Sequence, residues 1–115
     1  MNYKIVTTED FDREIKILSK KYHSLKEDLT TFRKELLENP NMGDYLGDNT
    51  RKVRMAIAAK NKGKRGGARV ITFHLFVDVV NTKIYLLTIY DKGEQQSISK
   101  NEIKHLKERN RLIDC

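Results

Sequence analysis

Cysteine is all but missing from this 115-residue chain: Cys115, the last residue, is the only one. An internal disulfide is therefore excluded, which is compatible with a reducing compartment and an expected cytoplasmic location. CxxC and HExxH pairs and clustered acidic loops are absent, so metal ligation has no support and no cofactor is expected. No apolar run approaches the roughly 20 residues that cross a bilayer, and the start MNYKIVTTEDF lacks the charged-then-apolar pattern of a secretion signal. No membrane partner is expected. Repeats, low-complexity tracts and linkers are also missing, and the length suits a single domain, 1–115. Hydrophobic content of 38% beside 34% charged residues fits a soluble globular chain rather than a disordered one.

The most informative absence is acid. Arg51 to Arg69, RKVRMAIAAKNKGKRGGAR, holds eight basic residues and no Asp or Glu. The chain has 23 Lys+Arg and 16 Asp+Glu, so the remainder carries 15 basic against 16 acidic residues. The whole net charge of +7 thus sits in one nineteen-residue segment. A field confined in this way points to a polyanion, most commonly nucleic acid.

Along the chain, Tyr3 to Val6 reads as an opening strand. Thr8 followed by Glu9 and Asp10 marks a helix start, and Phe11, Ile15 and Leu18 recur at helical spacing. Ser24 and Glu27 fit a capping box before Leu25, Leu29, Phe32 and Leu36; Pro40, the only proline, ends that region. After the loop NPNMGDYLGDNT, Arg51 to Ala59 alternates, with Val53, Met55 and Ile57 on one face and Lys52, Arg54, Ala56 and Ala58 on the other. The glycine-rich stretch Lys60 to Gly67 reads as a mobile hairpin connection. Ala68 to Val77 and Lys83 to Asp91 read as central strands joined by VNTK, and Ser99 with Glu102 opens a final helix through Ile103 and Leu106, with Leu112 as its expected far end. The predicted order is β-α-α-β-β-β-α, an α+β fold whose main sheet is antiparallel with its helices on one side.

Lys52 and Arg54, two residues apart on a strand, point the same way and away from the apolar set. With Arg69 at the start of the next strand they predict a basic floor, rimmed by the Lys/Arg loop. GKRGGAR lacks the GxxxxGK[ST] spacing, so nucleotide hydrolysis has no support. His23 and His105 read as surface residues and His74 as a packed one, and none has a local carboxylate partner. Tyr90, Asp91 and Lys92 end the last strand near the presumed floor.

RKVRMAIAAKNKGKRGGARVITF, with the later IYLLTIYDKGEQQSIS, resembles the RelE/HigB superfamily of bacterial type II toxin–antitoxin modules, and its HigB-type branch in particular. The resemblance spans about Leu46 to Ser99 on three motifs, and the N-terminal helical hairpin by pattern only. It implies the RelE-like toxin fold: an antiparallel sheet with two N-terminal helices on one face and a short C-terminal helix. The implied activity is a metal-independent endoribonuclease that cuts mRNA in the ribosomal A site by 2′-hydroxyl attack, inhibiting translation. Its implied partners are mRNA, the ribosome with its 16S rRNA, and a cognate antitoxin. Lys52 and Arg54 match the family's paired basic positions, and Arg69 the arginine that clamps the scissile phosphate. Lys92 falls in the basic stretch ending the next strand. Gly93 and Ser99 stand where RelE has an arginine and a tyrosine, which leaves Tyr90 or Asp91 for proton transfer. Arg51, Lys60, Lys62, Lys64 and Arg65 are assigned to RNA backbone contact. Competing expectations are a non-catalytic RNA- or ribosome-binding protein, and a ParE-like toxin of the same fold with a protein target.

Overall fold

A computed structural model of the chain describes residues 1–113. Its elements are β1 (Asn2–Thr7), α1 (Glu9–Lys21), α2 (Leu25–Glu38), β2 (Asp44–Gly47), β3 (Thr50–Met55), β4 (Ala68–Phe76), β5 (Asn81–Asp91) and α3 (Lys100–Arg109). Thr8 fixes the first joint. Its hydroxyl oxygen accepts from the Phe11 amide at 3.1 Å and its hydroxyl donates to the Leu87 carbonyl at 2.9 Å, so one residue caps α1 and bolts it to β5. Ser99 caps α3 in the same way, accepting from the Glu102 amide at 3.1 Å. Ser24 does not act as the predicted capping box. Its backbone is helical rather than extended, and its hydroxyl donates to Asp28 at 2.7 Å and accepts from the Ala59 amide at 2.9 Å.

The sheet order is β1-β5-β4-β3-β2. β3 to β5 pair antiparallel as expected, β2 adds antiparallel to β3, and β1 joins the other edge parallel to β5. β2 lies inside the stretch expected to be a loop. It folds back on β3 through Asp48 and Asn49, both at positive φ (49° and 56°), a conformation that Asn and Asp tolerate in tight hairpins. β3 stops at Met55 rather than Ala59, and the chain coils into a 3-10 turn at Ala58–Lys60.

Phe11, Leu18, Leu25, Phe32 and Leu36 pack with Val53, Met55, Val70, Ile84 and Leu86, which places α1 and α2 on one face. Ile103 and Leu106 of α3 pack with Ile71, Phe73, Leu87 and Tyr90 on the other. Helices therefore cover both faces, against the expectation of one side. The physical reason is the apolar alternation of β4: Val70 serves one core, and Ile71 and Phe73 need a second. Among the described residues, no helix is long and apolar enough to cross a membrane.

Candidate nucleic-acid interface

β3, β4 and β5 set Arg54 opposite Arg69 and Arg69 opposite Tyr90 in register. Residues directly opposite one another share a face, so these three side chains form a row across the sheet on the face opposite α1 and α2. One step along β3, Lys52 is paired with Asp44 of β2 on the same face. A cleft of about 160 Å³ is lined by Asp44, Lys52, Arg54, Arg69, Lys92 and Gln96. Four of these six are cations and one is a carboxylate. Arg54 is exposed and Lys52 half-buried, and neither is engaged in an ion pair among the described residues. Lys92 donates to the Gln96 carbonyl and side chain at 3.2 and 2.7 Å, which closes the loop forming one wall.

Arg69 is only 5% exposed. Nη1 donates to the carbonyls of Lys64 (3.2 Å) and Ala68 (3.1 Å), and Nη2 to that of Arg65 (3.0 Å). Three of the five guanidinium N–H donors are thus spent on the loop, leaving two for a ligand. Burial, and then the neighbouring Arg54, depress the Arg69 pKa: the cation sits desolvated beside a like charge, and an arriving anion relieves both. The buried Tyr90 hydroxyl has no hydrogen-bond partner, and its pKa is raised by burial against the opposing pull of Arg69. An unpartnered buried hydroxyl beside a desolvated arginine is an arrangement completed by a polar ligand.

Asp91 faces the other way. Its carboxylate accepts from Lys60 Nζ at 2.5 Å, the Tyr22 hydroxyl at 2.5 Å and the Gly93 amide at 2.9 Å. Burial raises its pKa, but the hydrogen bonds from Lys60 and Tyr22 overrule this and hold it at about 2. Asp91 therefore ties the end of α1 to the basic loop and is not part of the cleft. Lys60 is consumed in that pair, and Lys64 in one with Glu35 at 2.6 Å. The loop expected to be mobile is held by these pairs and by Arg69. Arg51 sits on the α1/α2 side of β3, 5.0 Å from the Tyr45 ring centre, while Lys62 and Arg65 stay exposed on the loop.

The structure thus gathers Lys52, Arg54, Arg69 and Lys92 around one cleft with Tyr90 beside it, and leaves Asp91, Lys60, Lys64 and Arg51 outside. Asp44 and Gln96 are additions that the sequence did not single out. Asp44 enters only because β2 is a strand, and its signal was the Asp48–Asn49 turn that folds β2 onto β3. No protein-family model matches the chain. Among the described residues no three His, Cys, Asp or Glu side chains gather as a metal-binding group. Chemically, the cleft can hold an anion between several guanidinium and ammonium groups and stabilise negative charge that grows during a reaction.

Proposed function

We propose that this chain is the toxin of a type II toxin–antitoxin module, a metal-independent endoribonuclease that cuts mRNA in the ribosomal A site and stops translation in the cytoplasm. The observation that carries the reading is the cross-strand row Arg54–Arg69–Tyr90 with Lys52 and Lys92 around one cleft. In the reaction the ribose 2′-oxygen attacks the adjacent phosphorus, the P–O5′ bond breaks, and the products are a 2′,3′-cyclic phosphate and a free 5′-hydroxyl. Arg54 and Arg69 bear the charge of the crowded phosphorane, which is stronger in the transition state than in the bound ester. Lys52 and Asp44 are the groups in the cleft able to take the 2′ proton, and in this reading Lys92 of the cleft or Tyr90, opposite Arg69 in register, supplies one to the 5′-oxygen. Lys62 and Arg65 contact 16S rRNA or mRNA backbone, and the cognate antitoxin blocks the cleft.

Primer extension on a defined mRNA during in-vitro translation tests this, with Arg54→Ala as the variant because Arg54 is exposed and holds nothing in the fold. Discrete cuts that require ribosomes and disappear in Arg54→Ala are the expected result. A second reading, an RNA- or ribosome-binding inhibitor without cleavage, is favoured by one observation. Asp91, the acidic group implied for proton transfer, is buried in an ion pair outside the cleft. Intact mRNA with translation still blocked would establish it.

A further inference from the structure

Counted along the chain, α3 carries four cations, Lys100, Lys104, Lys107 and Arg109, against two carboxylates, Glu102 and Glu108. The helix sorts these charges. Lys100, Lys104 and Lys107 recur at i, i+4 and i+7 and fall in one stripe, while Glu102 and Arg109 line a different groove beside Tyr90. All three lysines line a groove of about 490 Å³, together with Phe73 and with Asp48 and Asn49 of the β2–β3 turn. No carboxylate of α3 enters it: among the described lining residues the only acid is Asp48.

Lys107 lies at the bottom, 5% exposed. Its ammonium is 4.5 Å from the Phe73 ring centre and 3.4 Å from the Asp48 carbonyl, its one hydrogen-bond acceptor among the described residues. Three N–H donors thus meet one distant acceptor and a π-face, and burial lowers the lysine's pKa accordingly. Lys100 and Lys104 are exposed at the rim. The groove also shares a sheet face with the cleft. Phe73 is paired with Thr50, which lies two residues from Lys52 and four from Arg54 on the same side of β3. That is a path of about 13 Å along the strand.

We propose that the groove between α3 and the β2–β3 turn is a second phosphate-binding subsite, taking a backbone phosphate of the same single-stranded RNA held at Arg54 and Arg69. It rests on the RNA reading given above. Two cation-rich sites on one sheet face, Arg54 and Lys52 in the cleft and Lys100, Lys104 and Lys107 in the groove, favour a polyanionic strand over a folded protein partner. Lys107 covers Phe73, so the groove grips phosphate rather than stacking a base.

Fluorescence anisotropy with RNA that carries 2′-deoxy sugars, and so cannot be cut, tests the subsite. Probes of about four and about twelve nucleotides span one site or both. The variants are Lys100→Ser with Lys104→Ser, the single charge reversal Lys104→Glu, and Arg54→Ser. The expected result is that the double variant binds the short RNA as wild type does. It should lose on the order of tenfold affinity for the long RNA, and its log K against log salt slope should become shallower by about 1.4. Lys104→Glu should lose affinity for the long RNA as well. Unchanged long-RNA binding in both lysine variants, with binding still lost in Arg54→Ser, overturns the subsite and leaves the cleft standing. Weaker capture of a polyglutamate peptide with unchanged RNA binding overturns it in favour of a protein-docking groove. No wild-type binding of either RNA overturns the RNA reading itself and the subsite with it.

Discussion

Tyr90 and Asp91, consecutive in β5, point to opposite faces, and which of the two meets the cleft is decided three residues before Tyr90. Ile71 pairs with Thr88 but Thr72 with Leu86, so Leu87 is an extra residue in β5. An inserted residue inverts which side chains face which way beyond it. Tyr90 is thereby turned to the face of Arg69, and Asp91 to Lys60 and Tyr22. Alternation alone, counted from Ile84 and Leu86, assigns Tyr90 to the wrong face; nothing in IYLLTIYD marks the bulge. Asp91→Asn is expected to destabilise the fold by about 3 kcal/mol, because Lys60 is left buried and unpaired. Its pKa is depressed in the fold, from 3.8 to about 2. The stabilisation is therefore complete above the unfolded value and disappears as pH falls towards 2. Urea unfolding of wild type and Asp91→Asn should give midpoints that are well separated at pH 7 and converge in acid. His74 adds a second pH dependence with the same sign. It is buried against Tyr3 and Phe76, and its pKa is lowered by burial and then by Arg51, so the fold holds it neutral. The unfolded chain binds that proton more readily, and stability should fall as pH drops below about 6.5. Thermal melts at neutral and mildly acid pH check this, and His74→Gln should flatten the difference.

Helix boundaries were the most legible elements, because Thr8 and Ser99 each satisfy a backbone amide three residues on, a purely local bond. Ser24 misled for a tertiary reason: the amides of Ala58 and Ala59 compete for its hydroxyl and for Asp28, and they are far away in sequence. β2 was hidden because it is only four residues long, is bounded by the strand-averse Asp44 and Gly47, and depends on pairing with β3. The loop before β4 shows how local chemistry and tertiary position meet. A Cβ on Gly67 would press into the Met55 carbonyl oxygen and lie 3.0 Å from the Ile57 amide nitrogen, where β4 leaves the end of β3. Gly67→Ala should therefore cost about 2 kcal/mol through overpacking. It should also shift Arg69 two residues on, weakening RNA binding beyond what the loss of stability explains. Melting temperature and anisotropy on the same protein preparation separate the two effects.

At the scale of the molecule, the sequence located the positive charge but not its distribution. The segment 51–69 has eight cations, yet Lys60 and Lys64 are neutralised by Asp91 and Glu35 and Arg51 faces the other side. Lys92 comes to the cleft from outside that segment, so four cations line it. For a single-stranded RNA, counterion release gives a slope of about −0.7 in log K against log salt for each phosphate neutralised. A short RNA confined to the cleft should therefore bind with a slope near −3. Arg54→Ala removes one of the four and should bring the slope to about −2. Lys64→Ala removes an equal formal charge from the same segment but one already paired with Glu35, so the slope should stay close to that of wild type. Equal effects of the two substitutions would mean that net charge, not the geometry of the cleft, governs binding. Anisotropy titrations from low to moderate potassium chloride measure all three slopes, and a wild-type slope near zero would remove the electrostatic basis of the RNA reading.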